Sequence, residues 1–170
     1  SEKTSASRYI GRFTFRFMAE PVRQFLSENG VSFAETSSKP VLVLPVYTDE
    51  TGTTELWGPT NLWMNAWTTR QTPPGLVPIL APRGDLEDSA GISATQALAG
   101  DQERIQDMAQ RYGAGDVMVA EANISPPTPE GRRSLALSVT RYGTEGTQNF
   151  KDQVEGDAAN IDQLMRDGVE

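Results

Sequence analysis

The sequence predicts the α/β class, with a mixed sheet whose centre is partly parallel, antiparallel meander strands on its carboxyl-terminal side, and helices packed on it. Residues 41–46 form an uninterrupted apolar run, which is typical of a strand covered on both faces. Segments with helical periodicity alternate with the strands that follow, as they do around a parallel sheet. The final strands alternate apolar and polar residues, which indicates antiparallel strands with one solvated face.

The amino-terminal part is predicted to contain a leader, a strand and a helix. Residues 1–8 are polar and are predicted to be a disordered leader, whereas residues 9–170 are predicted to form a single α/β domain. Aromatic residues alternate with polar ones over residues 9–17, which predicts a half-buried strand. A proline suited to the first turn and a glycine after the last one predict a helix over residues 20–29.

The central strand is followed by a helix that contains two of the three tryptophans. Residues 41–47 are predicted to form the strand, and a turn then leads to a helix over residues 61–70 with Thr60 as its cap. Trp63 and Trp67 are four residues apart and therefore share one face of this helix. We expect that face to pack on the sheet, because aromatic residues at helical spacing usually lie in the core.

Strands and helices continue to alternate up to residue 124. Residues 76–80 are predicted to form a second covered strand, and residues 92–98 a short helical piece. Asp101 is a suitable N-cap for a helix with one apolar stripe that ends at Gly113. Residues 116–124 then form a third covered strand.

The carboxyl-terminal part is predicted to contain a meander and a final helix. Residues 134–142 alternate, with leucine and valine on one face, and a turn separates them from an edge strand over residues 147–155. The last helix is predicted from the spacing of Ala158, Ile161, Leu164 and Met165.

The composition excludes several classes of function. The 170 residues have a net charge of −8 and contain no histidine and no cysteine. A surface of this charge repels phosphate backbones, so we expect no nucleic-acid partner. Without histidine or cysteine there is no imidazole base, no thiolate nucleophile and no zinc–thiolate site. We therefore predict that the protein is not an enzyme and has no catalytic residues, metal site or cofactor.

Carboxylates are the remaining candidates for chemistry. Those of Glu55, Asp85, Glu87, Asp88 and Glu121 could supply the acid and the base of a glycoside hydrolase. The three between residues 85 and 88 could also hold a hard cation, but the spacing of a calcium-binding loop is missing. A loop that caps the next helix is the favoured interpretation.

The residues that we expect to bind a partner begin just after the central strand. Trp57 lies near the carboxyl end of that strand, where ligand crevices form in open α/β sheets. Tryptophan is common both in interfaces and in cores, so the sequence leaves both roles open. The acidic loop could complete such a surface, or could bind a sugar together with the aromatic rings. The predicted partner-binding residues are Leu56, Trp57, Gly58, Pro59, Asp85, Glu87 and Asp88.

Five segments between residues 39 and 122 are similar to those of a known family: KPVLVLPVY, LWGPTNLWMNAW, GLVPILAPRGDLED, ISATQALAGD and RYGAGDVMVAEA. The earlier segments RFTFRF and VRQFLSENGVSFAE fit the same family. This resemblance is to a bacterial domain of unknown function found in envelope-associated proteins of proteobacteria. In outline the family resembles the TolB amino-terminal domain and the CsgG-like and penicillin-binding-protein activator domains.

The resemblance implies a periplasmic location and a partner-binding role without catalytic residues. We therefore expect a scaffold or adaptor domain that binds an envelope protein. The predicted contacts are the loop of residues 56–59, called the Trp57 loop, and the edge strand at residues 147–155. The alternative is a domain that binds a small ligand or a peptidoglycan fragment. Any membrane association would come from segments outside this chain, because its longest apolar run has only the length of a strand.

Overall fold

The computed structural model describes residues 18–29, 38–70, 77–144 and 146–170. The chain divides into two units, Ser1–Thr36 and Ser37–Glu170. In the first unit, helix α1 (Ala19–Glu28) confirms the predicted helix. The predicted disordered leader and the strand predicted after it lie outside the described residues. The assignment of residues 9–170 to a single domain stays a prediction.

The second unit alternates strands and helices, as the sequence predicts, and adds a short strand at residues 54–55 and a helix at residues 86–91 that the sequence did not define. Its elements, in chain order, are β1 (Val41–Thr48), β2 (Thr54–Glu55), α2 (Leu62–Thr69), β3 (Ile79–Leu80), α3 (Leu86–Gly91), α4 (Ala94–Ala99), α5 (Gln102–Tyr112), β4 (Asp116–Ile124), β5 (Arg132–Gly143), β6 (Gly146–Asp157) and α6 (Ile161–Val169).

The strands form one mixed six-stranded sheet, which confirms the predicted fold class. The strand order is β2-β1-β4-β5-β6, and β3 lies beside the start of β1. β1 is parallel to β4 and β3, whereas the remaining pairs are antiparallel. The parallel centre and the carboxyl-terminal meander are therefore both present in the described part of the chain.

β1 supplies side chains to two cores, one on each face of the sheet. Leu42, Leu44 and Val46 pack with residues of α4 and α5, whereas Val43 and Tyr47 pack with residues of α2 and α6. Successive side chains of a strand point to opposite faces, so a strand covered on both sides must be apolar throughout. The apolar run of β1 thus produces a three-layer arrangement.

The packing of α2 and α6 depends on Trp63 and Gly168. Trp63 is buried, its indole N–H donates to the carbonyl of Ala120 at 2.9 Å, and its ring meets that of Trp67 edge to face at 5.8 Å. A β-carbon on Gly168 would lie 2.9 Å from a methyl group of Leu135 and 3.2 Å from the ring of Trp63. Glycine therefore allows α6 to approach the sheet closely, and the expected packing of the tryptophan face is confirmed.

The outer edge of β1 is closed by three different groups. β3 pairs with residues 41 and 42 at its start, and β2 pairs with residues 47 and 48 at its end. Between them, the side-chain amide of Asn61 donates to the carbonyl of Pro45 at 2.9 Å. In a parallel ladder the backbone nitrogen and the carbonyl of one residue face the same side of the strand. The carbonyl of Pro45 faces the outer edge, so its nitrogen does too, and the proline costs no hydrogen bond with β4.

Two sequence predictions in this region were wrong. The cap of α2 is Asn61, whose side chain accepts from Met64 N at 2.8 Å, whereas the hydroxyl of Thr60 donates to Glu55 instead. Asn61 also bonds to Pro45, and this long-range contact distinguishes it from Thr60. Of the predicted second covered strand, the described part is the two-residue strand β3, and Ile79 there is 40% exposed.

Asn61→Ala should lower the free energy of unfolding by about 3 kcal/mol, because it leaves the buried carbonyls of Pro45 and Leu56 and the N–H of Met64 without their partner. Thr60→Ala removes a single exposed hydrogen bond and should change this free energy by less than about 0.5 kcal/mol. Urea unfolding of both variants measures the difference. Equal effects would contradict the role assigned to Asn61.

Candidate functional site

The acidic loop forms a cluster around one arginine. Both Oδ atoms of Asp85 lie 2.9 Å from Nη2 of Arg111, Glu87 bonds to Nη1, and Asp88 Oδ1 lies 2.9 Å from Nε. Arg111 is in the last turn of α5, whereas the three carboxylates surround the start of α3. The cluster therefore joins the ends of two helices.

Asp88 is the buried member of this cluster and is fully enclosed. Its Oδ2 accepts hydrogen bonds from the hydroxyl of Tyr112 at 2.6 Å and from the N–H of Gly84 at 2.8 Å. Its Oδ1 forms an ion pair with Nε of Arg111, but the two groups are not oriented for a hydrogen bond. The hydroxyl of Tyr112 in turn accepts from the N–H of Arg83 at 2.8 Å. This network fixes the loop against α5.

The ionisation of the cluster agrees with a structural role. Asp85 caps α3 by accepting from the N–H of Asp88 at 2.9 Å, and this bond, together with nearby Arg111, lowers the pKa of Asp85. Burial and the hydrogen bond to Asp88 raise the pKa of Tyr112, and the bond to Glu87 raises that of Arg111. The predicted capping role is thus confirmed for Asp85, whereas Glu87 and Asp88 lie in the first turn of α3 and the helix near residues 92–98, α4, is capped by Ser93.

The sequence analysis missed Arg111 and Tyr112, which complete this cluster. They lie more than 20 residues from the loop, so no local spacing connects them to it. Of the three carboxylates, the buried Asp88 requires a counter-charge, which a cation in the last turn of a nearby helix can supply. That requirement is the signal that could have suggested Arg111.

An open cleft lies beside the cluster, with a volume of about 550 Å³. Arg111 faces it but is already balanced by carboxylates. Within the described residues, no three side chains of the metal-binding types are grouped as ligands. The cleft is lined by Leu80, Ala81, Arg83, Glu87, Arg111 and Tyr112.

Trp57 is half-buried and hydrogen-bonded. Its indole N–H donates to the carbonyl of Ile92 at 2.6 Å, and its ring packs at the margin of the core that includes Leu56. Leu56 is buried, whereas Gly58 and Pro59 are exposed. These contacts do not test whether Trp57 also binds a partner, so that role stays a prediction.

The Trp57 loop and the acidic loop lie near opposite ends of β1. The strand before Trp57 pairs with Tyr47, whereas Leu80, which lines the cleft of the acidic loop, pairs with Leu42. Five residues of extended chain separate these points by about 17 Å. The indole of Trp57 nevertheless bonds to Ile92 at the end of α3, the helix that contains Glu87 and Asp88, so a shared binding role of the seven residues stays a prediction.

The outer edge of β6 is the longest regular edge in the described part of the sheet. β6 pairs with β5 over twelve residues in one constant register, and no described strand pairs with its other side. Most of its side chains are exposed, and Phe150 is 60% exposed. The predicted edge strand at residues 147–155 is confirmed.

Hydrogen bonds at Ser134 define which backbone groups of β6 face outward. The N–H of Ser125 donates to the carbonyl of Ser134, and the N–H of Ser134 donates to the hydroxyl of Ser125, both at 2.9 Å. The backbone groups of Ser134 therefore point away from β6, and those of Glu155, which lies opposite Ser134, point to the free side. By alternation, the same holds for residues 147, 149, 151 and 153.

Comparisons with known proteins add two distant likenesses. No model of a known protein family and no curated protein matches the chain. The lipoprotein GNA1162 from Neisseria meningitidis is 11% identical, with a TM-score of 0.47 over 78% of this chain and 94% of that one. The LpoB carboxyl-terminal domain from Salmonella enterica is 16% identical, with a TM-score of 0.35 over 77% of this chain and 93% of that one. Both similarities are too low to support an argument about function, and the resemblance to the TolB and CsgG-like domains stays a prediction.

Stability should fall in acid partly because of Asp85. The pKa of Asp85 is lower in the folded protein than its value of about 3.9 in the unfolded chain, so its carboxylate stabilises the fold at any pH above that unfolded pKa. This stabilisation is lost as the pH falls through the lower pKa of the folded protein. Asp85→Asn keeps the helix cap but does not titrate, so it should reduce the loss of stability below about pH 4.

Urea unfolding across the acid range measures this effect. Asp101→Asn is the matched control, because Asp101 caps α5 in the same way and no arginine pairs with it among the described residues. If Asp85→Asn loses as much stability below about pH 4 as the original chain does, the role assigned to the carboxylate of Asp85 is contradicted.

Proposed function

We propose that this chain is a non-catalytic protein-interaction domain that captures an extended segment of a protein partner along the outer edge of β6. The proposal rests on the twelve residues of that edge, which have a constant register and contain no proline. Extended segments add to such edges through main-chain hydrogen bonds. Monomeric proteins often protect their edges with bulges, prolines or charges, and β6 has neither a bulge nor a proline, although Lys151, Asp152, Glu155 and Asp157 are charged.

The chemistry of the chain supports a role in binding. The sequence has no histidine and no cysteine, so imidazole acid–base catalysis and thiolate nucleophiles are excluded. The three carboxylates of the acidic loop are occupied by Arg111. The outward main-chain donors and acceptors of β6 can recognise an extended peptide, and of these the N–H of Gln153 would have to exchange its bond to the exposed carboxylate of Asp152.

The family resemblance of the sequence supports a place for this domain in the bacterial envelope, as a periplasmic scaffold or adaptor. None of the described helices is long and apolar enough to cross a bilayer. Fractionation of the producing cells, with the native protein followed by antibody, tests the location. Recovery in the cytoplasmic fraction alone would contradict it.

We further propose that the Trp57 loop is a second contact for the partner. Gly58 and Pro59 are exposed there, and the half-buried ring of Trp57 packs against the core. Glu87 is the most exposed carboxylate of the acidic loop, with 79% of its side chain accessible. The buried Leu56 and Asp88 would support these surfaces from beneath.

Gln153→Pro should abolish partner capture, because it removes an outward N–H from the middle of the edge and places a proline ring there. The substitution leaves the bonds to β5 intact, since this N–H faces the free side, where it donates to Asp152 Oδ1 at 2.8 Å. Gln153→Thr is the matched control, because it changes the side chain and keeps the N–H. A photo-crosslinking residue at position 151, used in the producing cells, detects the partner.

We expect Gln153→Pro to reduce the crosslinked product by about tenfold or more, and Gln153→Thr to retain it. Equal crosslinking in both variants would contradict the edge as the binding surface. The same assay with Trp57→Ala tests the second contact. Capture that is retained while the melting temperature falls would show that Trp57 only packs.

A further inference from the structure

We propose that a second copy of this chain occupies the free edge of β6, antiparallel to it, so that two sheets join into one across a two-fold axis at Gln153. This inference rests on the proposed function of the edge and names its partner. The outward groups of residues 149, 151, 153, 155 and 157 then meet the same groups of the second copy. In an antiparallel pair centred on Gln153, these are the residues that exchange hydrogen bonds.

Charge complementarity supports this register. A two-fold axis at Gln153 places Lys151, two residues before it, opposite Glu155 of the second copy, two residues after it, and the contact occurs twice. Directly opposed charges of opposite sign stabilise a strand pair. Both side chains are exposed, and the ion pair of Glu155 with Arg132 is loose, at 3.7 Å. A closer cation can therefore replace it.

On the opposite face of the strand pair, Phe150, three residues before the axis, lies opposite Gly156 of the second copy, three residues after it. The ring of Phe150 is 60% exposed. Leu164 of α6 already covers Gly156, because a β-carbon there would lie 3.1 Å from a methyl group of Leu164, so the ring would lie beside α6 of the second copy.

The neighbouring symmetric registers are less favourable. An axis at Lys151 places two lysines opposite each other, and an axis at Asp152 does the same for two aspartates, both of which are destabilising. An axis at Val154 would pair Lys151 with Asp157 and leave Glu155 opposite a glutamine. The role of Glu155 thus distinguishes the proposed register from this last one.

A charge exchange tests the proposal. Light scattering coupled to size exclusion should show a dimer of the full chain at high concentration. Lys151→Glu and Glu155→Lys, each alone, should weaken the dimer by about tenfold, because each creates two like-charge contacts. The double variant Lys151→Glu with Glu155→Lys restores the opposition and should return the dissociation constant to near its original value.

Glu103→Lys is the control for net charge. It changes the net charge as Glu155→Lys does, but on an exposed residue of α5, so it should leave the dimer intact. A monomer at all concentrations would overturn the proposal, as would a double variant that dimerises no better than the single ones. Should the chain be monomeric while a different protein still crosslinks at position 151 and is lost in Gln153→Pro, this inference fails and the proposed function stands.

Discussion

The structure depends on the parallel ladder between β1 and β4. Eight residue pairs join these strands, and β1 is buried on both faces along the run that the ladder spans. Each fully buried leucine or valine contributes about 1.5–3 kcal/mol, so one strand that supplies two cores stabilises both helical layers at once. β4 supplies side chains to the same two cores, with α4 and α5 on one face and α2 and α6 on the other.

The sheet has a different edge on each side of the β1–β4 pair, and this difference bears on function. On the side of β1 the sheet stops, because β2, β3 and the amide of Asn61 occupy its outward groups. On the side of β4 the sheet continues through the long hairpin of β5 and β6 and ends in an edge that nothing in the described chain covers. A sheet closed at one edge and open at the other is suited to add one further strand, at β6.

Elements with strong local signals could be predicted from the sequence. The helix between Asp101 and Gly113 has its cap, its apolar stripe and its glycine stop in the sequence, and the structure has α5 there. β1 and β4 were likewise predictable, from the apolar residues at 41–46 and at 117–119. The two-residue strand β2 was not, because a strand this short exists only through its pairing with β1. A strand was predicted where β3 lies, but β3 has only two residues.

The candidate surfaces could be predicted only in part. The edge strand was evident, but the direction of its backbone groups follows from the bonds between Ser125 and Ser134, which no sequence pattern reveals. Similarly, the acidic loop was recognised as a cap, whereas its neutralisation by Arg111 depends on how α5 packs against α3. Contacts between distant segments decided both cases.

Backbone amide exchange along β6 tests the central claim, that this edge is the binding surface. In the dilute chain, amides of residues 149, 151, 153 and 155 should exchange rapidly, and those of residues 148, 150, 152 and 154, bonded to β5, should exchange slowly. On partner capture or self-association, the rapid set should become protected while the slow set changes little. Rapid exchange of the outward amides in the assembled state would contradict the account.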